Sequence, residues 1–366
     1  MKVLHILNEL KPSGAEVMLE LAAPVWRELG CSLHVTAFAD TPGPFADRLT
    51  LAGWNVSNVS PSGPLHIWMN RLFSHIRAIN PDVIHLHQEG RSFPILLAAK
   101  ATGIPVARTI HNNFPFTGML RFRKLVERWA SRLLGAHFIS ISPSVSETEL
   151  RLFRNPTKLY WNWFQSDGFR TPEPTEKTTA RRKLGIPEDL KILVSIGNGS
   201  NVKNYRLVVE ALAAIKDPKI HYYQVGNSHP ENIDALQAKG LKIEDRIHFA
   251  GPSRDIQEWL WAADVYVMPS TYEGFGLAAV EALASGCDCI FSDCQGLNDF
   301  KSEGVSAKWV SPLTNLFTNA ILDSVNDPLA IDKRQHNSST IRNMFNTTTR
   351  CRAYYELWKE ILTARI

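Results

Sequence analysis

The chain has 366 residues, and at about 150 residues per domain that length predicts two domains. With 44% hydrophobic and 21% charged residues the composition is globular, which excludes a disordered tail or a collagen-like repeat. Forty Lys and Arg against 36 Asp and Glu give a net +4, too mild for a nucleic-acid binder unless the charge is gathered in one place.

Val3–Leu7 reads as a buried strand, and Glu9 and Lys11 interrupt the apolar run too early for a signal peptide. No run of about 18 uncharged apolar residues follows, so no membrane-spanning helix is expected and the protein is expected to be cytoplasmic. Five cysteines (Cys31, Cys287, Cys289, Cys294, Cys351) are an odd number in a long chain and read as reduced thiols. The Cys287, Cys289, Cys294 trio lacks the fourth ligand of a structural zinc site.

Short apolar runs alternate with amphipathic stretches, the pattern of β-α-β units around a parallel sheet. In the first half, Ser32–Phe38, Val83–Leu86, Val106–Thr109 and Phe138–Ile141 are the further strand candidates. Residues 165–180 turn polar and proline-punctuated, a linker composition. Strands then resume at Lys191–Ile196, Ile220–Val225, Arg246–Phe249, Ala263–Met268 and Cys287–Phe291, and the chain ends in an aromatic-rich helix from Cys351 to Leu362. The reading is of two Rossmann-like halves: residues 1–165, a linker at 166–180, residues 181–345, and a terminal helix at 346–366.

The most informative segment runs from Pro269 to Gly286. A strand ends at Met268, a glycine-rich loop follows, and a helix of good formers begins near Leu277. In an open α/β sheet ligands bind at this edge, and the N–H groups of Phe275, Gly276 and Leu277 are placed to meet an anion. Glu273 on the loop and Glu281 a turn into the helix offer carboxylates that accept hydrogen bonds, as sugar hydroxyls require. Taken singly, the glycines could be turn residues, Glu273 a helix N-terminal charge, and Glu281 a solvated side chain.

The whole string resembles the E-x7-E signature of the retaining glycosyltransferases of the GT-B fold, family 4. The resemblance implies that Glu273 lies by the donor sugar, that Glu281 holds the nucleotide ribose, and that the amides of Gly274, Phe275, Gly276 and Leu277 hold sugar and phosphate. Upstream, Val194 to Asn204 is similar to the family's strand-G-R-L-x-x-x-K-N, in which Arg and Lys clamp the diphosphate. Lys203 matches and is a sound point charge for a phosphate; the arginine's place holds Asn198. Asn8–Glu16 follows a strand and opens a helix, where the family has a glycine-rich loop near the donor phosphates, and of those glycines only Gly14 stands here. Thr109-Ile110-His111 resembles the family's T-x-H, which puts His111 by the reacting carbon. His85 and His87 could bind a metal from one strand face, but no third ligand is evident.

The expectation is therefore a GT-B protein, two Rossmann-like domains facing a cleft, with the terminal helix crossing back to the N-terminal domain. By the resemblance, donor binding falls to the C-terminal domain and acceptor binding to the N-terminal one. The reaction implied is transfer of a sugar from a UDP- or GDP-type nucleotide sugar to an acceptor hydroxyl with retention. The scheme is front-face attack, in which the leaving diphosphate takes the acceptor proton, and it uses no cofactor and no catalytic metal. A saccharide or lipid-linked acceptor would suit surface polysaccharide or glycolipid assembly. Rivals are a nucleotide-sugar 2-epimerase of the same fold and a weak nucleotide-binding relic, the latter kept open by Asn198. An NAD dehydrogenase is disfavoured because no Gly-x-Gly-x-x-Gly follows the first strand.

The gathered charge lies at 119–134, with five basic residues and one acid. Wound as a helix, Phe122, Leu125, Val126, Trp129 and Leu133 form one stripe and Arg121, Lys124, Arg128 and Arg132 the opposite one. The expectation is an apolar stripe in the core and a basic face either in water or against anionic lipid. The second possibility would make the enzyme peripheral on the inner face of the cytoplasmic membrane.

Overall fold

In the computed structural model, which describes residues 1–229 and 231–364, the chain divides into two compact units. One is Met1–Phe164 with Phe345–Ile366, the other Gln165–Met344.

The first unit carries strands β1 (Lys2–Leu7), β2 (Ser32–Ala37), β3 (Asn55–Asn58), β4 (Val83–Leu86), β5 (Val106–Ile110), β6 (His137–Ser140) and β7 (Lys158–Leu159). All pair in parallel, in the order β3-β2-β1-β4-β5-β6-β7. Helices α1 (Gly14–Glu28), α2 (Ala46–Leu51), α3 (Leu65–Ile79), α4 (Ser92–Ala101), α5 (Gly118–Leu133) and α6 (Pro143–Phe153) join them. The order reverses between β1 and β4, which opens a crevice at the carboxyl ends of those strands.

The second unit repeats the plan. Helix α7 (Pro174–Lys183) leads into β8 (Lys191–Ile196), α8 (Arg206–Ala214), β9 (Ile220–Val225), α9 (Ile233–Gly240), β10 (Ile247–Gly251), α10 (Ile256–Ala262), β11 (Val265–Met268), α11 (Leu277–Ala284), β12 (Asp288–Ser292), β13 (Lys308–Val310), α12 (Thr314–Asn326) and α13 (Ile331–Met344). The parallel order is β10-β9-β8-β11-β12-β13, with its reversal between β8 and β11.

The last helix, α14 (Thr347–Thr363), belongs to the first unit and packs on α1. Cys351, Tyr354, Leu357, Trp358 and Ile361 bury one face of it in a core shared with Met18, Ala22 and Trp26. Trp26 Nε1 donates to the Cys351 carbonyl at 2.9 Å, so even the indole nitrogen in this core is satisfied.

Residues 166–180 are not a linker throughout. Pro174 stands in the first turn of α7, where its missing N–H costs nothing, and Glu173 and Glu176 form a capping box. Arg181 and Lys177 then reach Asp264 at 2.6 and 2.8 Å and fix the helix to the second unit. Proline here starts a helix where the composition suggested a break. Strands β3, β7 and β13 also escaped the sequence reading, being short and partly or wholly exposed.

The basic helix departs from the expectation: Arg121 and Arg132 are exposed, but Lys124 and Arg128 are buried and much of the apolar stripe is exposed. α5 buries Lys124, Arg128 and Ser131, while Met119, Phe122, Trp129 and Leu133 are 82, 62, 61 and 69% exposed. Acids facing that side, Glu149 of α6, Glu89 after β4 and Glu127 of α5 itself, explain the burial. Arg128 holds Glu149 of α6 through Nε and Nη2 at 2.7 and 2.8 Å, and Lys124 Nζ meets Glu89 at 3.2 Å and Glu127 at 3.0 Å. Arg108, wholly buried, closes on Glu89 at 2.6 Å. Against its burial, which pushes the other way, these cations hold the Glu89 carboxyl below its usual range.

Candidate active site

Both units place their candidate residues at the carboxyl ends of strands at or next to the order reversal. In the second unit the loops follow β8 and β11. The β11 loop runs from Pro269 to Gly276, whose φ of +70° lets the chain turn into α11. A second glycine fixes the loop from below. The Glu273 N–H donates to the Gln295 carbonyl at 2.9 Å, and a Cβ on Gly296 (φ +90°) would lie 2.2 Å from the Glu273 carbonyl oxygen. Only glycine permits that approach.

The β8 loop carries Asn198 and Lys203 and is tied to the β11 loop by its backbone. Thr271 N–H donates to the Val202 carbonyl at 2.8 Å, and Asn204 Nδ2 to the Pro269 carbonyl at 3.3 Å. This brings Lys203 Nζ to 2.9 Å from Glu273 Oε1, which also accepts from Ser270 Oγ at 2.7 Å. The sequence assigned Lys203 and Glu273 separate tasks; the fold makes them an ion pair. Asn198 is exposed, and its amide oxygen accepts from Asn227 N and Nδ2 at 3.0 and 3.1 Å.

Glu281 lies in the second turn of α11, its carboxyl pushed up to about 8 by burial and drawn back in part by the charge of Lys203. Gly274, Phe275, Gly276 and Leu277 lead from Glu273 into the helix, and the Phe275 ring is buried, 6.5 Å from Phe300. A phenyl ring used as a packing anchor leaves only the backbone of that residue for a ligand. Cys287, Cys289 and Cys294 are buried free thiols around β12, with Cys287 just ahead of the strand.

In the first unit the loops follow β1, β4 and β5. Ser13 is the N-cap residue of α1 and its hydroxyl meets the Glu16 carboxylate; Gly14 is exposed as the first helical residue. Asn8, His87, Gln88, Glu89, His111 and Asn112 line a cavity of about 190 Å³ at this edge. His111 Nε2 is hydrogen-bonded to His87 Nδ1 at 2.9 Å, and burial takes the His111 imidazole down to about 4. It is neutral near pH 7.

The sequence missed the partners of His111. The parallel register sets His5 of β1 beside His85 of β4, and His5 Nδ1 is 2.8 Å from His87 Nε2. Three imidazoles, His5, His85 and His87, thus have ring nitrogens within 4.8 Å of one another, where a third ligand was not expected. A histidine at the matching height of the adjacent strand was the available signal. His85 is nevertheless committed elsewhere: its Nε2 pairs with Thr109 Oγ1 at 2.7 Å and its Nδ1 accepts from Trp358 Nε1 at 3.2 Å. Both nitrogens are spent, and the cluster lacks three free lone pairs for a metal.

Comparisons with known proteins bear on the family and the fold. The model of Glycosyltransferase Family 4 matches residues 12–199, and that of Glycosyl transferases group 1 matches residues 176–344. EpsF of Bacillus subtilis (strain 168) is 26% identical over 312 residues, 80% of this chain and 79% of its own length. The N-acetyl-alpha-D-glucosaminyl L-malate synthase of Bacillus anthracis is 34% identical over 130 residues, 35% of this chain and 34% of its own. Among solved structures, HepE of Anabaena in complex with UDP superposes with a TM-score of 0.84 at 20% identity, covering 98% of this chain and all of that one. At that identity the likeness speaks for the fold, which is GT-B.

Proposed function

The chain belongs to glycosyltransferase family 4, and from that premise we propose that it moves a hexose from a nucleotide-diphosphate sugar to an acceptor hydroxyl with retention at the anomeric carbon. The observation that carries this reading is the Lys203–Glu273 pair at 2.9 Å beside the amides that open α11. A cation and a helix N-terminus attract the diphosphate, and an adjacent fixed carboxylate accepts sugar hydroxyls. HepE, which has been solved with UDP and with UDP-glucose, supports a uridine nucleotide.

In this mechanism Lys203 and the amides of Gly274–Leu277 steady the leaving diphosphate, and Asn198 adds amide donors at the place of the arginine in the motif it resembles. Glu281 receives the ribose hydroxyls. The diphosphate oxygen takes the acceptor proton as the C–O bond to the sugar breaks and the new bond forms on the same face. Ser270 and Lys203 hold Glu273 in the orientation that the sugar needs. His111 supports a sugar hydroxyl from the acceptor-binding unit, whose 190 Å³ cavity takes part of the acceptor. No metal or other cofactor is required, because Lys203 and the helix amides supply the positive potential.

We further propose that α5 rests on an anionic membrane, with Met119, Phe122, Trp129 and Leu133 in the headgroup layer and the exposed Arg121, Arg123 and Arg132 pairing with lipid phosphates. No helix among the described residues is long and apolar enough to cross a membrane, so an interfacial helix is the form the contact takes. This suits a lipid-linked acceptor in surface polysaccharide or glycolipid assembly. A thermal-shift screen of UDP-, GDP-, ADP- and TDP-sugars tests the donor reading. A true donor raises Tm by several degrees at a hundredfold excess over Kd, and no response to any of them would sink it.

A further inference from the structure

Beside His111 the first unit holds a line of imidazoles with no evident structural need. His111 Nε2 meets His87 Nδ1 at 2.9 Å, and His87 Nε2 meets His5 Nδ1 at 2.8 Å. His5 is wholly buried, stacked on Trp26 with Trp54 and Trp358 edge-on, and its remaining nitrogen, Nε2, is buried without a hydrogen-bond partner.

Each imidazole in the line is neutral, since burial and the neighbouring rings hold His5 and His87 well below their ordinary values. Each ring therefore carries one proton, and only two arrangements satisfy both bonds. Either every proton points outward, from His5 to His87 to His111, or every proton points inward. The inward arrangement leaves an N–H of His5 buried with nothing to accept it. The outward one leaves only a lone pair, and orphaned N–H groups are the rarer and costlier defect. His85, adjacent to the line, is locked separately by Trp358 and Thr109 and takes no part.

We propose that His5 and His87 are positioning residues that fix His111 as the Nδ1–H tautomer, so that it acts as a hydrogen-bond donor to a sugar hydroxyl and not as a base. With Nε2 spent on His87, Nδ1 is the nitrogen left for a ligand in the cavity that His111 lines. The proposal deepens the role given to His111 above and rests on it for its functional consequence only. A ring presented in the wrong tautomer costs turnover while leaving the fold intact.

The test is ¹⁵N NMR of the full-length protein labelled at histidine, near neutral pH, where the two ring nitrogens of each tautomer separate widely. The parent shows His111 protonated at Nδ1. In His5→Asp a carboxylate, which only accepts, takes the His87 Nε2–H, so the line reverses and His111 becomes Nε2–H, whereas His5→Leu orphans only a lone pair on His87 Nε2 and keeps His111 as Nδ1–H. In His5→Asn the side-chain amide stands in for Nδ1–H and returns His111 to Nδ1–H. With UDP-glucose hydrolysis as the assay, kcat falls about tenfold in His5→Asp with KM within about twofold, and His5→Asn recovers it. A His111 that is Nε2–H in the parent, or whose tautomer ignores His5→Asp, overturns the proposal even if activity is lost. A tautomer that reverses with kcat unchanged upholds the device and removes His111 from the transfer reaction instead.

Discussion

Lys203 Nζ and Glu273 Oε1 stand 2.9 Å apart although 70 residues separate them, because two backbone-tied loops of one sheet edge carry them. Neither acts alone, so their variants differ in kind. Glu273→Gln keeps the hydroxyl-facing shape and loses the charge, and turnover falls about a hundredfold with UDP-sugar binding nearly unchanged. Lys203→Ala weakens UDP more than uridine, since the lost partner is a phosphate charge, and it also frees Glu273 to reorient. Calorimetry with both ligands, alongside steady-state turnover, checks the pair. Turnover of Glu273→Gln within threefold of the parent removes that residue from the mechanism.

Asn198→Arg is expected to be tolerated and to tighten UDP binding. The residue is exposed, and what it gives up is its bond to Asn227, which lies at the surface. Isothermal titration reads the gain, and weaker binding would show that the two asparagines shape the loop more than charge does.

If Glu281 takes the ribose as proposed, nucleotide binding is expected to depend on pH. Ribose hydroxyls favour its ionised form, but burial holds the free carboxyl at about 8. UDP-glucose affinity therefore rises with pH, at most about tenfold per unit, and levels off above about 8. Stability moves the other way. Between the ordinary 4.5 and about 8 the native protein keeps a proton that the unfolded chain has released, so this group's contribution falls as pH rises through that window. Glu281→Gln abolishes both trends, as titrations and melting curves at pH 5–9 will read.

For α5 the two faces carry opposite predictions. Phe122→Ser with Trp129→Ser leaves Tm unchanged, because both rings are exposed, and abolishes co-sedimentation with anionic vesicles. Arg128→Met leaves Glu149 buried without its bidentate partner and destabilises the fold by about 3–5 kcal/mol. Vesicle binding that survives the loss of both rings would contradict the interfacial placement.

The loop and helix from Pro269 to Gly286 were legible as elements because the glycines answer to local backbone demands and the segment follows a strand-loop-helix pattern. The face of α5 was not. Periodicity reveals two stripes, but which one is buried depended on Glu89 and Glu149, acids far along the chain that pair with Lys124 and Arg128. Pro174 misled in a similar way, since the same residue that breaks a helix interior also begins a helix. His5 escaped notice because its neighbour in space, His85, is set by strand register rather than by sequence spacing.

The central claim, sugar transfer from a nucleotide donor with retention, is tested most directly by following UDP-glucose, or the donor with the largest thermal shift, by ¹H NMR without an acceptor. Slow hydrolysis should release the nucleoside diphosphate together with sugar that is first α at the anomeric carbon, matching the donor, and Glu273→Gln should suppress it. Sugar released first as the β anomer would contradict retention. A nucleotide sugar inverted at C2 with no diphosphate released would make the protein an epimerase.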